Sequence, residues 1–276
     1  MLSALYQLIN VFAKPNEAQG NQAAVILQNE QTYLAGKQST ISLDICQHDG
    51  LSTVCFISPI NNQNYNVRCF NQDKQIQCCG HGLIAAAKTI FSTGDLIAIN
   101  INENTKAFHQ IDNESGDGVM LELPRLLAQQ AKVPDWIDKT IVFDSEIVEP
   151  DKAALSEKED GYLLLEFETL LPLDMFQGIK LDLKQICENT KRAIVVLQFD
   201  QENKHLYTRY FAPQYGVDED IATGSVMRFV ADYIEKKYQC SHFDVSQCSS
   251  LGGFMTIDCK AESVLITANA KRESRQ

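Results

Sequence analysis

One short pattern occurs twice in the chain, and this repeat constrains the fold more than any other feature. In the first half, the strand-like segment Arg68–Phe70 is followed by a polar loop and by small residues at Cys79–Gly82. In the second half, Arg209–Phe211 is followed by a polar loop of similar length and by Ala222–Ser225. The two Arg-x-Phe segments are 209 − 68 = 141 positions apart in a chain of 276 residues. The repeat predicts two pseudo-symmetric lobes built on the same plan.

The residues around each copy predict a mixed α+β fold. In each half, short strand-like runs surround one helical stretch, over Leu83–Phe91 in the first and Val226–Tyr238 in the second. The connection over Pro124–Asp138 contains two prolines and is the predicted lobe boundary. We therefore expect an N-terminal lobe over residues 1–124 and a C-terminal lobe over residues 125–276. Alternatively, the last strand of the chain packs back onto the N-terminal lobe.

The charge of the chain excludes several classes of partner. Twenty-four basic and 36 acidic residues give a net charge of −12, which repels nucleic acid and anionic membrane surfaces. The first ten residues lack the basic segment of a signal peptide, and the apolar runs are too short to span a bilayer. Nine cysteines, an odd number, are then read as reduced thiols. We expect a cytoplasmic protein without nucleic-acid or membrane partners.

The junctions between loop and helix are the candidate site. A helix N-terminus has backbone N–H groups without partners and a partial positive charge, and small residues let an anion approach them. Gly80 and Gly82 precede the first helical stretch, and Thr223 precedes the second. These positions predict that two helix starts hold one small carboxylic acid between them. The alternative is that the glycines only turn the chain and that Thr223 only caps a helix.

Two titratable residues lie beside these junctions. His81 is at the first, where an imidazole can give or take a proton near neutral pH. Asp220 is the acidic residue closest to the second, three positions before Thr223. The hypothesis is that Asp220 pairs with His81 across a cleft and fixes its tautomer or relays a proton.

Four segments resemble the phenazine-biosynthesis PhzF-like family, which has the diaminopimelate-epimerase fold. Val11–Val25 is similar to an opening stretch with Gly-Asn-Pro-x-Ala-Val, and Arg68–Ala87 to the signature Cys-Gly-His-Ala-Thr-x-Ala-Ala-Ala. Arg209–Ser225 is similar to Phe-Ala-Pro followed by Glu-Asp-Pro-Ala-Thr-Gly-Ser, with Ile221 in place of the proline. The ending over Cys248–Ala270 is a weaker match.

The resemblance implies two lobes, each a barrel-like sheet wrapped around a central helix, with the active cleft between them. It also implies a homodimer that uses neither a metal nor an organic cofactor. The type reaction isomerises a dihydro-hydroxyanthranilate by proton transfer from a glutamate, aided by a histidine and an aspartate. The last two correspond to His81 and Asp220 as catalytic residues. The expected substrate-binding residues are Gly20, Asn21, Thr53, Gly80, Gly82, Thr223, Gly224 and Ser225.

The glutamate itself is missing. Where the family has Leu-Ser-Glu-Thr-x-Phe, this chain has Leu51–Phe56, with Thr53 at the glutamate position. A hydroxyl is a very poor base near pH 7, and losing a general base costs about a hundred- to ten-thousand-fold in rate. His48 and Asp49 are candidate substitutes, although we expect them in a preceding helix or turn. The family's Gly-Arg-Pro-Ser and Gly-Gly pieces are also replaced here, by Gly252–Met255 and Ala268–Asn269.

Parts of the sequence support a binding protein or a racemase, whereas a metal protein and a nicotinamide enzyme lack their motifs. One is a binding or interaction protein that keeps the fold without turnover, which Thr53 favours. Another is a two-thiol racemase, for which Cys79 fits the first position while the second junction has no thiol. Cys78, Cys79 and His81 cluster, yet no second pair has the spacing of metal ligands. The chain lacks the Gly-x-Gly-x-x-Gly motif of a nicotinamide-dependent enzyme.

Overall fold

The structure is a computed structural model, and it describes residues 6–28, 36–72, 74–76, 78–92, 96–112 and 116–273. The chain divides into two compact units. Unit 1 comprises Met1–Pro124 together with Leu265–Gln276, and unit 2 comprises Arg125–Val264. None of the helices in the described part of the chain has the length and apolar character needed to cross a membrane.

Ten elements lie in the described residues before position 125. They are β1 (Gln7–Val11), β2 (Asn21–Leu27), α1 (Gln38–Asp49), β3 (Thr53–Pro59), β4 (Asn64–Asn71), β5 (Lys74–Ile76), α2 (Gly80–Phe91), β6 (Ala98–Ile101), β7 (Thr105–Asp112) and β8 (Gly116–Pro124). The remainder forms β9 (Ala128–Ala131), a 3-10 helix (Asp135–Lys139), β10 (Ile141–Phe143), β11 (Glu146–Ile147), β12 (Lys152–Ser156), β13 (Tyr162–Glu166), α3 (Leu173–Gly178), β14 (Lys180–Leu181), α4 (Leu183–Asn189), β15 (Ala193–Asp200), β16 (His205–Phe211), a 3-10 helix (Pro213–Tyr215), α5 (Met227–Tyr238), β17 (His242–Gln247), β18 (Gly253–Cys259) and β19 (Ser263–Arg272).

Unit 1 is a closed barrel around one helix. Its eight strands follow the order β1-β2-β3-β4-β6-β7-β8-β19, and the pairing of β1 with β19 closes the circle. Helix α2 packs against the inner face of this barrel, and all twelve of its residues are buried. Alanines and large apolar residues occur all round this helix, which is the pattern of a helix enclosed on every side. The α+β barrel with a central helix is therefore confirmed.

Unit 2 repeats this plan with a curved sheet. Its strands follow the order β18-β17-β16-β15-β13-β12-β9, and α5 packs against the two outermost strands, β18 and β9. Phe229 of α5 stacks on Tyr162 of β13 with the ring centroids 5.7 Å apart. A second apolar cluster, centred on the fully buried Phe176, lies under α3, α4 and the small sheet β11-β10-β14.

Both central helices are close to their predicted positions, with one difference. Helix α5 begins at Met227, one residue after the predicted start. Helix α2 begins at Gly80, three residues before the predicted start at Leu83, because Leu83 N–H already donates to Cys79 C=O at 2.9 Å. Gly80, His81 and Gly82 therefore form the first turn of the helix rather than a loop before it.

A buried carboxylate ties α5 to the sheet of unit 2. Glu166, at the end of β13, is fully buried and accepts hydrogen bonds from the hydroxyls of Tyr233 and Tyr238, each at 2.5 Å. Lys237 donates to the same carboxylate and, at 2.7 Å, to Glu168. Burial, reinforced by Glu166, raises the pKa of both tyrosines, so each hydroxyl keeps its proton and remains a donor.

We predict that Glu166→Ala lowers the free energy of unfolding of unit 2 by about 3 kcal/mol, because it takes a fully buried acceptor from the buried Tyr233 and from the partly buried Lys237 and Tyr238. Trp136, the one tryptophan of the chain, packs against the core of unit 2, so its fluorescence during urea unfolding reports this change. Glu168→Ala is the matched control. Its side chain is 40% exposed, and we expect a loss below about 1 kcal/mol. Equal losses in the two variants would contradict the assigned role of Glu166.

Candidate active site

The first turn of α2 has backbone N–H groups without an intrahelical partner. Cys79 is the N-cap residue, with extended backbone angles of φ −120° and ψ 93°, and its side chain forms no capping hydrogen bond. The first turn consists of Gly80, His81 and Gly82, whose N–H groups precede the first intrahelical donor, Leu83. Such N–H groups, together with the helix dipole, favour an anion at this end.

The two ring nitrogens of His81 differ in their surroundings. The residue is only 5% exposed. Its Nδ1 lies 3.7 Å from the Cys79 Sγ, whereas its buried Nε2 has no hydrogen-bond partner among the described residues. An unpaired buried polar atom costs free energy, and a ligand that bonded to Nε2 would remove that cost.

Thr53 and Asn21 of the predicted set lie in the same neighbourhood of unit 1. Thr53 is the first residue of β3, is 3% exposed, and its Oγ1 lies 3.9 Å from the Cys79 Sγ. The adjacent Ser52 hydroxyl donates to Asn21 Oδ1 at 3.5 Å. Asn21 begins β2, directly after Gly20. These contacts form a continuous path from Asn21 to His81.

Gly20 is needed because the chain turns sharply beside β1. Its φ of +80° is in the left-handed region, which favours glycine. A Cβ at this position would lie 2.5 Å from the carbonyl oxygen of Val11 and 2.8 Å from the amide nitrogen of Ala13. The residue therefore orients Asn21 through the backbone.

The proposed substitutes for the glutamate lie elsewhere. His48 and Asp49 end α1, as expected, and their side chains pair with each other at 2.6 Å. The His48 side chain is 79% exposed. Neither residue has a described contact with Thr53, Cys79 or His81, so the structure gives no support to their acting as the base.

Three thiols surround Gly82. A Cβ at this position would lie 2.7 Å from the Sγ of Cys55, 2.9 Å from that of Cys69 and 3.1 Å from that of Cys79. The family signature has alanine here, and in this chain the thiols occupy the space of that methyl group. A hydrogen bond to Cys69, together with burial, raises the pKa of the Cys79 thiol well above its ordinary value. A protonated thiol is a weak base, which argues against the two-thiol racemase.

In unit 2, Asp220 is held by its own loop. Its Oδ2 accepts a hydrogen bond from the Thr223 hydroxyl at 2.5 Å, and its backbone N–H donates to the Tyr210 carbonyl at 3.0 Å. Thr223, Gly224 and Ser225 are all buried. Thr223 is not the N-cap of α5, because that position belongs to Val226. The capping alternative for Thr223 is therefore wrong.

Two polar side chains clamp this loop, Gln247 at the end of β17 and Ser249 in the turn that follows. Gln247 accepts from the Thr223 N–H at 2.8 Å through Oε1 and donates to the Asp220 carbonyl at 2.6 Å through Nε2. The Ser249 hydroxyl donates to the Ile221 carbonyl at 2.7 Å. Neither residue was predicted for the site. No motif marks them, since their role depends on how the strands pair.

Arg209, the arginine of the second Arg-x-Phe segment, holds the loop that carries Asp220. Arg209 of β16 forms a bidentate ion pair with Glu219, at 2.7 and 2.9 Å, and also donates to the carbonyl of Ile179. Among the acidic residues Asp218–Asp220, Glu219 is thus bound to Arg209 and Asp220 to Thr223. The carboxylates of Glu219 and Asp220 are therefore bound by other side chains of the same unit.

A comparison with known families decides the identity of the fold. The family model described as phenazine biosynthesis-like protein (PhzC-PhzF) matches residues 9–123 and 166–275. The chain belongs to this family. An uncharacterized isomerase of Vibrio cholerae is 28% identical over 231 residues, 83% of this chain and 77% of the relative. A phenazine biosynthesis-like domain-containing protein of Bos taurus is 27% identical over 267 residues, 88% of each chain.

Solved structures agree on the fold. A PhzF family protein of Enterococcus faecalis matches with a TM-score of 0.79 and 20% identity, covering 98% of this chain and 96% of that one. A probable proline racemase of Agrobacterium radiobacter matches with a TM-score of 0.58 and 10% identity, covering 97% and 90%. The PhzF-like fold is therefore shared with racemases.

Metal ligation has no geometric support in the described part of the chain. Within it, no group of three or more histidine, cysteine or acidic residues is arranged to hold a metal ion. Of the Cys78, Cys79 and His81 cluster noted in the sequence, Cys79 is one of the three thiols that surround Gly82. Burial raises the pKa of Cys55, and a thiol hydrogen bond together with burial raises the pKa of Cys69 and of Cys79, so these sulfurs remain protonated near neutral pH.

We predict that Gly82→Ala destabilises unit 1 by about 1–3 kcal/mol, because the new methyl group overlaps three sulfur atoms. The measurement is urea unfolding followed by circular dichroism. Gly118→Ala in β8 is the matched control, since its Cβ would meet no atom closer than 3.5 Å, and we expect a change within about 0.5 kcal/mol. If Gly82→Ala is as stable as Gly118→Ala, the thiols do not fill the space assigned to them.

Proposed function

We propose that this chain is a PhzF-like isomerase that transfers a proton on a small carboxylic acid, with His81 and Asp220 as its proton-handling residues. Relatives of this family in Vibrio cholerae and Pseudomonas aeruginosa are named isomerases. The observation that carries the proposal is the buried Nε2 of His81, which has no partner among the described residues at the start of α2.

The chemistry of the α2 start favours a carboxylate as the bound group. The first N–H groups of the helix have partial positive charge and point out of its N-terminus. A carboxylate that accepts hydrogen bonds from these N–H groups would place its neighbouring carbon near the His81 ring. An imidazole there can take a proton from that carbon and return it to another, which is an isomerisation without a cofactor.

Asp220 is the second proton-handling group in this proposal. Its carboxylate is oriented by Thr223, and the loop that carries it is fixed by Gln247. A carboxylate held in this way can accept a proton from the substrate and return it. Gly224 and Ser225, which follow Thr223 in the same loop, are the expected substrate-binding residues of unit 2. Homodimer formation remains a prediction of the family resemblance.

Thr53 has a smaller role. It occupies the position of the family's glutamate, and its hydroxyl is next to the Cys79 thiol. It supplies at most a hydrogen bond, so His81 has to do the proton transfer that the glutamate does elsewhere. We therefore expect a rate about a hundred- to ten-thousand-fold below that of a glutamate-containing relative.

The second candidate function is a small-molecule-binding protein of the same fold without turnover. Thr53 favours it, because a buried threonine in place of the base leaves the fold and the anion site intact while removing the strongest proton carrier. Binding of an acid without exchange of its protons is the observation that would distinguish it.

The test is incubation in D₂O with a panel of small cyclic and amino carboxylic acids, including the dihydro-hydroxyanthranilate. We expect deuterium uptake into one acid class, measured by mass spectrometry, in protein treated with EDTA and given no cofactor. The control is the variant with His81→Ala and Asp220→Ala, shown to be folded by circular dichroism.

Each outcome decides between the two functions. Uptake that is lost in the control variant supports proton transfer by these residues. Uptake that persists in the control variant refutes their assigned role. Acids that bind the wild type, seen by ligand-observed NMR, without deuterium uptake favour the binding protein.

A further inference from the structure

Two of the thiols beneath α2 face each other across neighbouring strands. Cys55 of β3 and Cys69 of β4 are directly paired in the antiparallel register, and their sulfur atoms are 3.1 Å apart. This separation is shorter than that of the other described sulfur contacts of the site, Thr53 to Cys79 at 3.9 Å and Cys79 to His81 at 3.7 Å. The pair lies on the barrel wall immediately under Gly82.

The backbone geometry of such a pair is compatible with a covalent bond. Residues directly opposite each other in antiparallel strands have their Cα atoms about 4.5–5.5 Å apart. Disulfides span Cα separations of about 4.4–6.8 Å. Formation of the bond brings the two sulfurs to about 2.05 Å, so each has to move by roughly half an ångström.

We propose that Cys55 and Cys69 are an oxidation site, a dithiol that a peroxide converts into a disulfide. In the first step one sulfur attacks the peroxide, the O–O bond breaks, and a sulfenic acid forms. The hydroxide that leaves takes up the proton of that thiol and becomes water. In the second step the other sulfur attacks the sulfenic acid, the S–O bond breaks, and a second water leaves. Two thiols and one hydrogen peroxide thus give one disulfide and two waters.

The surroundings make this reaction slow and its product persistent. Cys55 and Cys69 are buried, and burial raises the pKa of Cys55, so few thiolates are present near neutral pH. Cys78 is partly exposed and interacts electrostatically with Cys69, which makes it the most accessible thiol of this group. A peroxide the size of two waters reaches the pair during local opening near Cys78. Larger reductants then reach the product less readily.

The disulfide would alter the candidate active site, and this part rests on the proposed function. The Cys69 sulfur lies 3.1 Å from the Cys55 sulfur and also interacts with the Cys79 thiol. Cys79 in turn contacts Thr53 and the Nδ1 of His81. Bonding of Cys69 to Cys55 removes the thiol hydrogen of Cys69 and moves its sulfur. The surroundings of the Cys79 thiol change as a result, and the environment of the His81 ring changes with them.

Peptide mapping tests the oxidation site directly. The protein is treated with hydrogen peroxide, unfolded in an alkylating agent and digested with trypsin. Cleavage after Arg68 places Cys55 in residues 38–68 and Cys69 in residues 69–74. We expect a crosslinked species of these two peptides, lighter by two hydrogens than their sum, that disappears after reduction.

Matched variants assign the crosslink. The peptide of residues 38–68 also contains Cys46, so Cys46→Ser should keep the crosslink while Cys55→Ser and Cys69→Ser should lose it. The exposed Cys187 reports whether the oxidant acted. If Cys187 is oxidised and the crosslink is absent, or if the crosslink survives Cys55→Ser, the proposal is wrong.

A second readout tests the link to the active site. We expect oxidation of the wild type to shift the ¹⁵N and ¹H signals of the His81 ring, assigned with His81→Gln. The signals of His242, exposed in unit 2, should remain in place. A disulfide without a shift at His81 would refute the link. Because neither readout uses a substrate, failure of the deuterium experiment leaves the oxidation site standing.

Discussion

The burial of α2 inside the closed barrel of unit 1 decides where the candidate site can be. With every residue of the helix enclosed by strands, its polar N–H groups are available to a ligand only at its first turn. His81 is in that turn, with one ring nitrogen next to Cys79 and the other without a partner among the described residues. The strands that enclose the helix also bring Thr53 and Asn21 to this turn.

The repeat was enough to predict the class of fold, because the period of the apolar residues and the glycine-rich junctions are local signals. It located both central helices to within three residues. It did not predict the clamp formed by Gln247 and Ser249, since that depends on which strands pair. The thiol cluster was missed for the same reason. Cys55, Cys69 and Cys79 are separated in sequence and meet only because β3, β4 and α2 converge.

The replacement of the glutamate by Thr53 and of the family's alanine by Gly82 belong to one local rearrangement. Thr53 contacts the Cys79 thiol, and Cys55, two residues later on β3, contacts the Cys69 thiol. Both of these thiols lie beside Gly82. This part of the barrel wall therefore has sulfur and hydroxyl groups where a relative has a carboxylate and a methyl group. His81 and the Asp220 loop keep the family pattern. We therefore assign proton transfer to His81.

The most direct test of that assignment compares two single variants in the deuterium-exchange reaction, with the acid that the wild type labels. We predict that His81→Gln abolishes exchange, while Thr53→Ala keeps it within about tenfold of the wild-type rate, because a lost neutral hydrogen bond costs only about 1 kcal/mol. Loss of exchange in Thr53→Ala with retention in His81→Gln would contradict the role of His81 and would assign the reaction to the β3 side of the site.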